Sequence, residues 1–232
     1  MRYITAILVV SLIFSCNPVT ERLSHYSVHG IDVSHYQSRI DWDTIVSQDV
    51  SFAFVKATEG EELCDSLFCN NWTDIKRVGI KRGAYHFFRP TISVYRQAQN
   101  FINNVSLEEG DLPPVLDVEV ADGVSDQEVR ENIKTWLEIV ESHYQVRPII
   151  YTNLKFFNRY INHHFDGYPF WIARYNTEKP ELENGQKWHF WQYGNRGLLK
   201  GIDGFVDFNV FNGTLLELES ICLSNDPLYS AR

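Results

Sequence analysis

Three consecutive stretches decide the fold: Pro114-Val115-Leu116-Asp117-Val118-Glu119, residues 125–144, and Pro148-Ile149-Ile150-Tyr151-Thr152. The two outer runs are short, apolar and rich in β-branched residues, as buried strands are. Between them Val129, Ile133, Trp136, Leu137, Val140 and Tyr144 recur on one helical face. Ser125 followed by Glu128 has the form of a capping box, which marks the start of a helix. Strand, amphipathic helix, strand is the pattern of two parallel strands joined by a crossover.

The same pattern extends in both directions. Before it come Val28-His29-Gly30-Ile31-Asp32-Val33, Ser51-Phe52-Ala53-Phe54-Val55-Lys56 and Gly83-Ala84-Tyr85-His86-Phe87-Phe88. Helical spacing separates them at about 42–48, at 65–78, and where Val94, Ala98, Phe101, Ile102 and Val105 align. A weaker helix follows at 154–161. Beyond it lie Pro169-Phe170-Trp171-Ile172-Ala173, Trp188-His189-Phe190-Trp191-Gln192 and Gly204-Phe205-Val206-Asp207-Phe208, with no convincing helix between them. The expected class is therefore α/β: an irregular TIM-like barrel of five β/α units followed by three further strands.

Composition excludes several classes. A chain of 232 residues, 44% hydrophobic and 22% charged, is neither disordered, collagen-like nor a coiled coil. With 21 basic against 30 acidic residues, a net charge of -9 and no basic run, it is no candidate for binding nucleic acid. Aromatics reach 14%, more than a core alone needs.

In a β/α barrel, catalytic groups sit where the strands end. The polar residues at these ends are Asp32, Lys56 with Glu59, His86, Asp117 with Glu119, Tyr151 with Asn153, Arg174 with Tyr175, Gln192 with Tyr193, and Asp207. Alternate residues of a strand share a face, so Asp117 and Glu119 should point the same way. Two carboxyls in apolar surroundings push at least one pKa up, giving one neutral acid beside one anion. That division of labour suits cleavage of a glycosidic bond. Asp32 and Asp207, ending the first and last strands, become neighbours when the barrel closes. Lys56 and Glu59 are expected to pair or to shape the rim.

The chain resembles glycoside hydrolase family 25, the Chalaropsis-type lysozymes or N-acetylmuramidases. The resemblance is carried by Gly30-Ile31-Asp32-Val33-Ser34-His35-Tyr36-Gln37 with Ile40-Asp41-Trp42, and by Phe54-Val55-Lys56-Ala57-Thr58-Glu59-Gly60. Gly83-Ala84-Tyr85-His86-Phe87, the Asp117–Glu119 run, Tyr151-Thr152-Asn153, Trp191-Gln192-Tyr193 and Val206-Asp207-Phe208-Asn209 follow in the family's order. The resemblance implies hydrolysis of the β-1,4 bond between N-acetylmuramic acid and N-acetylglucosamine in peptidoglycan glycan strands. It makes Glu119 the general acid and base and Asp117 the group that stabilises the reacting sugar. Asp32 and Asp207 fill the remaining acidic positions. Tyr85, His86, Tyr151, Asn153, Tyr175, Trp191, Gln192 and Tyr193 are the expected substrate-binding residues, and core packing is the expectation for Trp171. No cofactor and no metal are implied, and the enzyme would act as a monomer. Two other readings stand beside it. A chitinase-like or endo-N-acetylglucosaminidase barrel also carries Asp-x-Glu, but with a further Asp where this chain has Val115. An inactive, lectin-like barrel would ordinarily lack the acid that Glu119 supplies.

At the N-terminus, Arg2 precedes an apolar run over residues 4–14, too short to span a bilayer and suited to an export signal. Its end, Ile13-Phe14-Ser15-Cys16, resembles a bacterial lipobox, which would make Cys16 the site of acylation. The expected division is a signal peptide over 1–15, a lipidated Cys16 and tether over 16–28, the catalytic barrel over 29–214 and a C-terminal tail over 215–232. The enzyme would then be exported and lipid-anchored to a bacterial membrane in the cell envelope. Cys64, Cys69 and Cys222 remain, enough for one bridge and one free thiol, with the pairing open.

Overall fold

The computed structural model describes residues 20–176 and 178–224; the signal segment and Cys16 lie outside them. A closed barrel of eight strands is the centre of the molecule. In chain order come β1 (His29–Val33), α1 (Trp42–Ile45), β2 (Phe52–Glu59), the two-residue β3 (Leu63–Cys64), α2 (Phe68–Arg77) and β4 (Lys81–Phe87). Then follow α3 (Val94–Asn104), β5 (Val115–Asp117), α4 (Asp126–Tyr144) and β6 (Ile149–Asn153). After β6 stand α5 (Leu154–Phe156), which runs into a π turn over Phe157–Ile161, and then β7 (Phe170–Ala173), β8 (Phe190–Gly197), β9 (Val206–Phe211) and α6 (Leu215–Ile221). The sheet runs β1-β9-β8-β7-β6-β5-β4-β2, and β1 pairs with β2 to close it; β3 is an antiparallel hairpin arm on β2. The expected five β/α units and three further strands are present.

Seven barrel strands are parallel, and β9 runs antiparallel to both neighbours. Asp207 therefore does not end the last strand as expected; it sits near the start of β9, directly opposite Asp32 of β1. The reversal of direction and the shift from end to start cancel, so Asp207 still reaches the catalytic face. β5 is shorter than the run that announced it and stops at Asp117. The chain nevertheless stays extended one step further, because Val118 N donates to Tyr151 O (3.0 Å) and Thr152 Oγ1 donates to Val118 O (2.6 Å).

Strand alternation builds two cores. Outward residues such as Ile31, Val55, Leu116 and Ile172 meet the helices, while Phe52, Phe54, Val115, Phe190 and Phe211 plug the barrel interior. Each large side chain so buried contributes roughly 1.5–3 kcal/mol. Gly30 and Gly83 make room for the plug: a Cβ would lie 2.3 Å from the Phe52 ring in one case and 2.5 Å from Phe54 in the other. α4 starts as expected, with Ser125 Oγ accepting from Glu128 N (3.3 Å).

Three expectations change. The tether expected over 16–28 is not free from residue 20 onward. Thr20 N donates to Arg196 O (3.1 Å), Arg22 stands over the Phe208 ring (5.4 Å), and Tyr26 packs against Trp188 and Trp191. Among the described residues no crossover helix covers β8 and β9, and this strap packs on their outer face. The segment expected as a tail opens with α6, capped by Thr214 and Glu217, whose Leu218 is buried against the interior plug. Cys64, Cys69 and Cys222 are all free thiols.

Candidate active site

One cavity of about 340 Å³ opens over the plug at the end of the barrel where the parallel strands finish. Its acidic members are Asp32 from β1, Asp117 and Glu119 from the end of β5, and Asp207 from β9. Lys56, Glu59 and Arg89 form one wall, Tyr85, Tyr151 and Tyr175 contribute rings, and Trp171 lies at the base.

Asp117 and Glu119 face the same cavity, as residues two apart on an extended segment must. They are within hydrogen-bonding reach of each other. Asp117 is buried and Glu119 is less so. Burial, then the charges of Glu119 and Asp32, push the Asp117 carboxyl well above the ordinary aspartate range, and Lys56 only partly offsets this. Glu119 is also pushed up, by burial first and by Asp32 second. Asp117 itself is not the cause: its hydrogen bond lowers Glu119. The proton of the pair thus favours the deeper Asp117. Asp117 Oδ1 has no protein donor, which makes ionisation costly there until a ligand supplies one.

Asp32 and Asp207 form the second pair. Asn209 Nδ2 (2.7 Å) and Gln192 Nε2 (2.8 Å) both donate to Asp32 Oδ2. Burial raises Asp32 to about 6, with these two amides and Asp207 holding it down. Asp207 is pushed up to about 9 by burial and by the charge of Asp32, to which it is hydrogen-bonded. Near neutral pH the pair therefore keeps one proton, mainly on Asp207. The amides are themselves fixed: Tyr151 Oη (2.8 Å) and Tyr175 Oη (2.9 Å) donate to Gln192 Oε1, and Trp171 Nε1 donates to Asn209 Oδ1 (2.8 Å). Every proton in this chain has a defined direction, which preorganises the floor of the cleft.

The profile of glycosyl hydrolases family 25 matches residues 31–202. The chain belongs to this family. Lysozyme M1 of Streptomyces globisporus is 37% identical over 218 residues, covering 86% of this chain and 72% of that protein. The uncharacterized protein YegX of Escherichia coli K12 is 44% identical over 200 residues, covering 84% of this chain and 73% of that one. Among solved structures, a family 25 glycosyl hydrolase from Bacillus anthracis superposes with a TM-score of 0.84 at 34% identity, spanning 90% of this chain and all of that one.

Of the binding residues expected at the strand ends, Tyr85, Tyr151, Tyr175 and Gln192 line the cavity. The other four do not. His86 is fully buried on the outer side of β4, stacked on Trp136, with Nδ1 against Thr58 Oγ1 (2.8 Å) and Nε2 against Gln97 Oε1 (3.2 Å). Burial lowers it to about 4, so it is a neutral core residue. Trp191 and Tyr193 flank Gln192 on β8 and face outward; the Trp191 indole donates to Arg174 O, and the Tyr193 ring packs on Phe208. Asn153 caps α5, accepting from Phe156 N (2.9 Å). Trp171, assigned to the core, is buried as expected yet also forms the cavity floor. Lys56 and Glu59 pair as expected, at 2.5 Å. Residues not singled out beforehand are Tyr36 and Gln37 at the rim, Phe87 and Arg89 on the wall, and Asn209 beneath Asp32.

Proposed function

We propose that the protein is a lysozyme of the N-acetylmuramidase type, cleaving the β-1,4 bond between N-acetylmuramic acid and N-acetylglucosamine with retention. The observation that carries this is the Asp117–Glu119 pair, two carboxyls lining one open cleft, both pushed above the ordinary carboxylate range first by burial. When an amino sugar enters, its acetamido N–H supplies the donor that Asp117 Oδ1 lacks. Ionised Asp117 is then stabilised, and the pair's proton moves onto Glu119. The acetamido oxygen attacks the anomeric carbon, Asp117 takes up charge from the amide N–H, and Glu119 protonates the departing oxygen. Glu119 next removes a proton from water, which opens the cyclic intermediate on the face the leaving group vacated. Asp32 and Asp207, with one proton between them, hold the sugar's hydroxyl or acetamido group. Tyr85, Tyr151 and Tyr175 offer ring faces to the glycan.

The chitinase-like alternative requires a further carboxyl at position 115, where Val115 is buried in the plug below the cleft. In this reading the enzyme acts as a monomer. The signal-like segment and Cys16 make the enzyme an exported, lipid-anchored envelope protein.

The test is release of muropeptides from purified peptidoglycan, read by mass spectrometry, with proton NMR of the first anomeric signal. A β-anomer is expected; an initial α-anomer would end the retaining mechanism. Glu119→Gln should lower kcat by about 10²–10⁴-fold with unchanged thermal stability. Activity near wild type would remove Glu119 from its role.

A further inference from the structure

One wall of the cleft differs in charge from the rest. Lys56 Nζ donates to Glu59 Oε2 (2.5 Å), and Arg89 Nε (2.9 Å) and Nη2 (2.6 Å) both donate to Glu59 Oε1. Both cations also stand over the Phe87 ring, Lys56 at 5.2 Å and Arg89 at 4.7 Å from its centre. Burial would raise Glu59, yet the two cations hold it below the ordinary glutamate range. Glu59 is thus an anion shared by two cations, and the cluster keeps one net positive charge. The carboxylate is saturated at both oxygens, whereas Arg89 Nη1 takes part in none of these bonds. Lys56 is largely buried, Arg89 is half-exposed, and both line the cavity. Every other ionisable carboxyl of the cleft would repel an anionic substrate; this wall would attract one.

The register of the strands fixes where the wall stands. Phe87 pairs with Asp117 across β4 and β5, and Glu59 pairs with Phe87 across β2 and β4. The wall therefore begins one strand, about 5 Å, from Asp117, within reach of the C3 substituent of a sugar whose C2 acetamido group lies on Asp117. On N-acetylmuramic acid that substituent is the lactyl ether; on N-acetylglucosamine it is a bare hydroxyl.

We propose that the Lys56–Glu59–Arg89 wall is a carboxylate-binding subsite that recognises the anionic arm at C3 of muramic acid. The carboxylate is that of the lactyl group or, where this is amide-linked, one carried by the stem peptide. Arg89 Nη1 and the remaining Lys56 donors bind it, and Glu59 holds both cations in place while setting their net charge. The inference rests on the muramidase reading above, from which the orientation of the sugar is taken.

The experiment compares kcat/KM on three tetrasaccharides of alternating N-acetylglucosamine and N-acetylmuramic acid. One has free lactyl carboxylates, one has them converted to neutral methylamides, and one bears stem peptides. Wild type is expected to favour a charged substrate over the neutral one. Arg89→Ala should lower that preference about tenfold, the loss of one charge-assisted contact. Arg89→Lys should retain most of it, and Glu59→Gln, which adds net positive charge, should enlarge it. Each preference is a ratio within one preparation, so the folded fraction cancels. Dependence on Arg89 with the lactyl substrate or with the peptide substrate identifies the source of the carboxylate. Wild-type cleavage of all three at ratios that Arg89→Ala and Glu59→Gln leave unchanged overturns the subsite alone. Cleavage of none overturns the muramidase reading and the subsite with it.

Discussion

Replacing Asp207 by Asn should stabilise the protein at neutral pH while damaging its activity. Asp207 stays protonated up to about 9 in the folded chain, against 3.8 for an ordinary aspartic acid. Between those values the unfolded chain has released this proton and the folded chain still holds it. Stability from this group is thus complete below about pH 4 and drains away as pH rises through 9. Each tenfold step in proton affinity is worth about 1.4 kcal/mol, so the cost at pH 7 reaches roughly 4 kcal/mol at most. Asp207 shares its proton with Asp32 and is partly solvated, which brings the figure nearer to ~2 kcal/mol. Asparagine keeps a donor toward Asp32 but has nothing to ionise. For a domain of this size ~2 kcal/mol corresponds to a rise of about 4–8 °C in Tm. The assay is thermal unfolding of wild type and Asp207→Asn at pH 4 and pH 7, followed by circular dichroism. The gain should appear at pH 7 and nearly vanish at pH 4. An equal difference at both pH values, or a loss at pH 7, would refute the account of this carboxyl pair.

Asn209→Leu should raise the pKa of Asp32 above its value of about 6, because one of two amide donors disappears. The acid limb of the kcat–pH profile should move up by about one pH unit, and the orphaned Trp171 indole should cost about 1–3 kcal/mol in urea unfolding. An unmoved limb would show that Asp32 need not ionise for turnover. Arg82→Met should destabilise the fold by about 3–5 kcal/mol, since it strands the buried Asp111 that Arg82 binds at 2.7 Å. Its KM should stay at the wild-type value, because Arg82 lies outside the cleft; a KM change would mean that the outer shell controls the site.

The barrel was legible because its cause is local. Helical spacing of Val129, Ile133, Trp136, Leu137 and Val140 matches the buried face of α4, and the apolar runs match strands buried on both sides. The role of residues 20–28 was not legible for the opposite reason. Leu23 and Tyr26 have no periodicity, and they pack where, among the described residues, β8 and β9 have no crossover helix, a fact about segments far along the chain. α6 was legible in principle, since Thr214 and Glu217 form the same capping motif that located α4, but its few residues carry too little periodic signal.

At the site, parity accounts for most of what sequence reading recovered and misplaced, Asn153 excepted: it shares the parity of Tyr151 but turns away to cap α5. A strand can send only every second side chain into the barrel, so Tyr85 and His86 cannot both face the glycan, nor can Trp191, Gln192 and Tyr193. Fixing one inward residue per strand settles its neighbours: Tyr85 in, His86 out, Phe87 in; Trp191 out, Gln192 in; Asp207 in, Phe208 out, Asn209 in. The same rule that united Asp117 with Glu119 would thus have excluded His86 and Trp191 and admitted Phe87 and Asn209. Parity says nothing about Arg89, which follows β4 in a loop and turns back to Glu59 across the cavity wall. Part of the charge that gives the cleft its asymmetry therefore comes from a loop residue that strand periodicity does not govern. Such a residue can differ between chains that share the barrel and its four carboxyls, which makes it a place where substrate preference can change without disturbing the catalytic pair.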